Sequence, residues 1–144
     1  KSPFSSDSLG NALLTPTKIY VKSCLTAHRD RLIKGLAHIT GGGLIENIPR
    51  ILPDGLGVKL DGKGWPLGDL FKWVSDAGKV TPDEMARTFN CGIGMVVIVA
   101  PENRETATKV LSESGDTVFT IGTVNSNSGK TLVKIENWEQ AWKG

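Results

Sequence analysis

The stretch His38-Ile39-Thr40-Gly41-Gly42-Gly43-Leu44-Ile45-Glu46-Asn47-Ile48-Pro49-Arg50 contains residue types from which an anion site can be built. Consecutive glycines between a short apolar run and a helix start let the backbone pass close to a ligand. They also leave amide N–H groups facing outward where the helix dipole favours negative charge. Thr40 adds a hydroxyl and Arg50 a fixed positive charge, so the set suits a phosphate or a phosphorylated intermediate. A tight turn that binds nothing uses the same glycines, and the pattern alone leaves both readings open. His38 brings an imidazole, a group suited to proton transfer or polarisation of an amide. A core histidine satisfied by one backbone hydrogen bond fits the same position.

A second unusual stretch is Arg87-Thr88-Phe89-Asn90-Cys91-Gly92-Ile93-Gly94-Met95. Asn90 and the two glycines bracket a step from helix to strand. One reading is a ligand-facing turn with Asn90 as donor and acceptor; the other is loop geometry that needs flexible residues. Cys91 has no histidine at a telling spacing and reads as a buried, inert thiol. Ser128-Gly129-Lys130-Thr131 imitates the end of a phosphate-binding loop, but Val124 stands where its first glycine belongs and a strand pattern follows. It reads as a hairpin loop. His28 sits on the apolar face of an expected helix. Trp65, Trp73, Trp138 and Trp142 read as core or interface residues, with Trp138 and Trp142 sharing a face if the C-terminus is helical.

The elements that must position these residues can be traced along the chain. Lys1 to about Asn11 reads as an extended lead-in, with the main domain covering residues 12–144. Thr15-Pro16 predicts a helix start, followed by Val21, Cys24, Leu25, His28 and Leu32 at helical spacing. Leu36 to Thr40 reads as a strand, Leu44 to Asn47 as a short helix, and Leu56 to Leu60 as a second strand. Leu67, Leu70, Phe71, Val74 and Ala77 predict an amphipathic helix ended by Gly78. Thr81-Pro82-Asp83-Glu84 matches a capping box for another. Ile93 to Ala100 reads as a fully buried strand. Ala107, Val110, Leu111 and Ser114 mark a helix stopped by Gly115. Thr117 to Val124 and Thr131 to Glu136 read as strands joined by the polar loop Asn125 to Lys130. The fold class expected is α/β (α+β), a mixed sheet layered with helices.

With 144 residues, 39% hydrophobic and 22% charged, the chain suits one soluble domain with a real core. A net charge of +2 without basic runs gives no nucleic-acid footprint. The longest apolar run, Met95 to Ala100, is too short to span a bilayer. Cys24 and Cys91 read as reduced thiols of an intracellular protein. The first residues give no signal-peptide pattern, and the absence of a starting methionine suits a fragment or the tail of a longer protein.

Three segments, Ala12 to Ser23, His38 to Arg50 and Arg87 to Met95, resemble those of aminoimidazole ribonucleotide synthetase, also called phosphoribosylformylglycinamidine cyclo-ligase. They occur in that family's order with similar spacing, and the resemblance runs over essentially the whole chain. It is limited to the family's C-terminal half. The resemblance implies an AIR synthase-type C-terminal domain, cytoplasmic and homodimeric in the full enzyme, often within a multifunctional chain. It implies a missing N-terminal domain that binds most of the ATP and Mg2+. The implied reaction is ATP-dependent ring closure of formylglycinamidine ribonucleotide to aminoimidazole ribonucleotide, ADP and phosphate. In that reaction His38 would orient or deprotonate near the reacting amide, and Thr40, Gly41, Gly42 and Gly43 would hold an anionic phosphate. Asn47 and Arg50 would support the loop or contact substrate, with Asn90 a further contact and no metal ligand in this half. Alternatives are a noncatalytic ribonucleotide-binding module, a dimerisation domain, or another ATP-dependent enzyme of the same superfamily.

Overall fold

Helix and strand signals alternate along the sequence, and in the computed structural model they become two small sheets flanked by helices. The structure describes residues 1–127 and 129–142. Strands β1 (Ile33–His38) and β3 (Met95–Val99) pair antiparallel, with Ala37 opposite Val96 and His38 opposite Met95. Strand β2 (Leu56–Asp61) is the centre of a mixed three-stranded sheet. It runs antiparallel to β4 (Gly122–Ser126) and parallel to β5 (Val133–Glu136). The expected hairpin between the last two strands is therefore a correction: β2 lies between them, and each takes its ladder pairing from β2 rather than from the other. Ser128, in the proposed hairpin loop, lies outside the described residues.

Most helices follow their local signals. Helix α4 (Asp69–Gly78) ends with Lys79 in the left-handed region. Helix α5 (Pro82–Thr88) is capped by Thr81, whose hydroxyl accepts from the Glu84 N–H. Glu84 does not complete the box; its carboxylate accepts from the Thr88 hydroxyl at 2.9 Å. Helix α6 (Arg104–Glu113) buries Ala107 and Leu111 and stops before Gly115, whose φ is +93°. The last helix, α7 (Trp138–Ala141), leads to Trp142, and the Trp138 and Trp142 rings meet edge-on at 5.5 Å.

The N-terminal quarter departs from expectation. Residues up to Asp7 are irregular, but Ser8 caps a short helix α1 (Leu9–Leu13) by accepting from the Asn11 N–H, so the extended lead-in ends sooner than predicted. The lead-in also packs, with Phe4 against Trp73 at 5.4 Å between ring centroids. Thr15 does not start a helix: its hydroxyl donates back to the Ala12 carbonyl, closing α1. Helix α2 (Val21–Arg29) begins after Tyr20 and buries Ser23 and Ala27, leaving Val21 61% and Leu25 44% exposed. The small side chains, not the large ones, face inward because they let α2 approach α6 closely.

The main core joins Ile39, Leu44, Ile48, Val58, Leu60, Trp65, Leu67, Met85 and Val96, so both sheets, helix α5 and the short helix that follows β1 share it. Helix α3 (Gly43–Asn47) runs into a 3-10 turn, Ile48–Ile51, that carries Pro49. Strand β3 is less buried than expected. The Ile39 N–H donates to the Gly94 carbonyl. By antiparallel alternation the backbone groups of Val96 and Ile98 then face β1, and those of Met95 and Val97 face away. Beyond that edge a cavity of about 690 Å³ separates β3 from the segment Asp116–Val124. No helix among the described residues is long and apolar enough to cross a membrane.

Candidate functional site

The glycine turn is held from inside by Asn47. Its Nδ2 donates to the carbonyls of Gly43 at 2.8 Å, Gly41 at 3.1 Å and Thr40 at 3.3 Å, and its Oδ1 accepts from Arg50 Nη1 at 3.2 Å. Asn47 is 5% exposed, and its amide clamps the turn from within. Arg50 is exposed and braces the clamp. Gly43 is a correction to the expected row of open amides. Its N–H donates to the Thr40 carbonyl at 3.0 Å. A Cβ there would run into the Ala86 carbonyl and lie 2.7 Å from that of Phe89. Gly43 is glycine so that α3 can abut the end of α5, with φ at +55°.

The turn stays open at Gly41 and Gly42. Gly41 faces free space, and among the described residues no acceptor is recorded for either amide. Thr40 is exposed beside them. Glu46 is the opposing feature: a Cβ on Gly42 would lie 2.7 Å from its Oε2, so a carboxylate lies against the turn. An incoming anion must displace that side chain, which is exposed and free to swing.

His38 is not a core histidine. It is exposed at the end of β1, with no hydrogen-bond partner recorded among the described residues, and its ring meets Tyr20 edge-on at 6.1 Å. It does not line the 690 Å³ cavity, although Tyr20, Gly94 and Met95 next to it do. Asn90 belongs to a tight turn. Its Oδ1 accepts from the Gly92 N–H at 3.0 Å, its carbonyl accepts from the Ile93 N–H, and Cys91 and Gly92 take φ of +51° and +89° between them. The loop-geometry reading of Asn90 is thus the one its oxygen supports. Cys91 is fully buried, gives its carbonyl to Trp65 Nε1 at 2.9 Å, and has its thiol pushed up to about 12 by burial. It is not a nucleophile at neutral pH.

Sequence reasoning missed Tyr20 and what surrounds it. This tyrosine is the chain's only one, and burial raises its pKa. Lys18 stands 5.9 Å from its ring centroid, pairs with Asp116 at 2.7 Å and donates to the Gly115 carbonyl at 2.8 Å. A Cβ on Gly94 would lie 2.8 Å from Tyr20 Cζ. Tyr20, His38 and Gly94 come one from each of the three sequence segments singled out above, and they meet here. The spacing Lys18-x-Tyr20 before a helix was the only available signal. Among the described residues no three His, Cys, Asp or Glu side chains converge as metal ligands.

A family model described as AIR synthase related protein, C-terminal domain, matches residues 1–135. This chain belongs to that family. The AIR synthase related C-terminal domain here is also similar to three curated proteins. A bifunctional purine biosynthetic protein ADE1 of Schizosaccharomyces pombe is 49% identical, over 91% of this chain and 17% of its own length. The phosphoribosylformylglycinamidine cyclo-ligases of Chromobacterium violaceum and Burkholderia multivorans are 50% and 51% identical. They cover 89% and 86% of this chain, and 37% and 35% of their own lengths. The domain therefore spans roughly a sixth to rather more than a third of these relatives.

Proposed function

We propose that this AIR synthase related domain is the substrate-facing part of a phosphoribosylformylglycinamidine cyclo-ligase, acting in purine biosynthesis within a longer, cytoplasmic and homodimeric enzyme. The observation that carries the reading is the meeting of Tyr20, His38 and Gly94 beside the open Gly41–Gly42 turn. About 50% identity to proteins bearing that name supports it. ATP would activate the amide oxygen of formylglycinamidine ribonucleotide and depart as ADP and phosphate, with Mg2+, and the groups for both would come mainly from an N-terminal domain outside these residues. The present residues bind and orient. Thr40 and the amides of Gly41 and Gly42 take an anionic oxygen cluster once Glu46 moves aside. His38, solvent-accessible and unpaired, orients the reacting amide or takes a proton as the amidine nitrogen closes the ring. Gly43, Asn47, Arg50 and Asn90 keep this geometry without touching substrate.

The test is steady-state cyclisation in a full-length ligase carrying this domain. His38→Ala should lower kcat by two or more orders of magnitude, within the range of general acid–base contributions. The isolated 144-residue chain should neither hydrolyse ATP nor cyclise substrate. Normal turnover of the His38 variant would remove His38 from the mechanism. A full-length protein that binds ribonucleotide without ligase activity would make the domain a binding module instead.

A further inference from the structure

Tyr20 is fixed on three sides. Beneath it lies Gly94: the nearest atoms to a Cβ built there all belong to Tyr20, with Cζ at 2.8 Å and Cε2 at 3.1 Å. Gly94 does not adopt a positive φ, so a side chain is barred there by the tyrosine and not by backbone strain. Beside the ring stands Lys18, tied to Asp116 at 2.7 Å and to the Gly115 carbonyl at 2.8 Å. Only 12% of the Asp116 side chain is exposed, so this tie anchors the irregular stretch before α2 to the end of α6. The remaining edge of Tyr20 meets the His38 imidazole at an interplanar angle of 67°. His38 has no other recorded restraint among the described residues, and an exposed histidine at a strand end otherwise samples several rotamers.

We infer that Tyr20 is a positioning residue: its ring, seated on Gly94 and pinned by the Lys18–Asp116 tie, holds the His38 imidazole in one orientation. The inference rests on the role proposed for His38. The ring does the work: among the described residues the one side-chain hydrogen bond recorded to Tyr20 is from the Ser23 hydroxyl to its backbone carbonyl, and none is recorded for the phenol hydroxyl. Edge-to-face aromatic pairs of this separation bias a ring by an amount equal to roughly a three- to tenfold change in population.

Six variants of the full-length ligase test it. Tyr20→Leu should lower kcat about three- to tenfold with KM within about twofold, while Tyr20→Phe should stay within about twofold of wild type in both. Gly94→Ala should reproduce the Tyr20→Leu loss by displacing the ring, and the Tyr20→Leu/Gly94→Ala pair should be no worse than Tyr20→Leu alone. In a His38→Ala background, Tyr20→Leu should cost nothing further. An unchanged kcat for Tyr20→Leu overturns the inference, as does a full additional loss in the His38→Ala background. Proton NMR of the His38 ring in the 144-residue chain separates this from the functional reading. The ring-current shift should vanish in Tyr20→Leu and persist in Tyr20→Phe whether or not His38 is catalytic. Identical His38 signals in all three proteins would show that Tyr20 does not hold it.

Discussion

Replacing Asn47 tests the clamp within the glycine turn. In Asn47→Ala, the Thr40 carbonyl keeps the Gly43 N–H, and both Thr40 and Gly41 are exposed enough for water to replace the amide. Gly43 is buried, so its 2.8 Å bond is the one that water does not restore. Leaving a buried acceptor short costs about 1–3 kcal/mol. The small cavity and the loss of Arg50's partner bring the expected destabilisation to about 2–3 kcal/mol. With a urea m-value of about 2 kcal/mol per molar, the midpoint falls by about 1–1.5 M. Asn47→Asp is the sharper variant. It removes the donor and sets a desolvated carboxylate against three carbonyl oxygens, so it should be less stable than Asn47→Ala at neutral pH. Burial raises such a carboxyl's pKa, so its contribution is best below the unfolded value and worsens as pH rises; the Asp variant should recover in acid. Urea titrations at two pH values read both effects. Variants within about 0.5 kcal/mol of wild type at neutral pH would refute the clamp.

Gly43→Ala should destabilise by about 2–4 kcal/mol in the same assay, since its Cβ meets the Ala86 carbonyl and φ is positive; the Gly41→Ala change, facing open space, should cost under about 1 kcal/mol. Cys91 stays protonated when folded up to about pH 12, while an unfolded thiol ionises near 9. Stability should therefore fall as pH climbs from about 9 towards 12, and Cys91→Ala should flatten that slope. On the acid side, Asp61 is held below the usual carboxylate range by the Lys63 backbone N–H and the Asn137 amide. Its contribution is present above the unfolded value and lost as pH falls through the lowered one. Asp61→Asn should weaken the acid limb of a stability–pH profile, and an unchanged limb would contradict that assignment.

Where a local group satisfies a local need, the sequence was readable. Thr81 before Pro82 announces α5, and Gly115 announces the end of α6, because each supplies a cap within a few residues. Two of the three segments that matter, His38 to Arg50 and Arg87 to Met95, were also visible as unusual stretches bearing glycines. Their roles were less so. Gly43 looks like Gly41 and Gly42 in a string of letters, yet it answers to the end of α5, more than forty positions away in sequence. The Thr15 hydroxyl could point forward to cap a helix or back to close one, and only α1 decides between them. Strands β4 and β5 lie close in sequence and seem to ask for a hairpin, but each prefers β2. Tyr20 carried almost no sequence signal because its meaning lies in contacts with His38 and Gly94, which only the fold brings near.

The open edge of β3 has a consequence for local dynamics. One strand here lives in two environments, its alternate amides locked to β1 or turned to the cavity. Amide exchange along Met95 to Ile98 should then alternate, with Val96 and Ile98 retaining hydrogen far longer than Met95 and Val97. Such a strand is half wall and half doorway. Any motion that lets the neighbouring Asp116–Val124 segment close on it would be recorded first as the slowing of those two exposed amides.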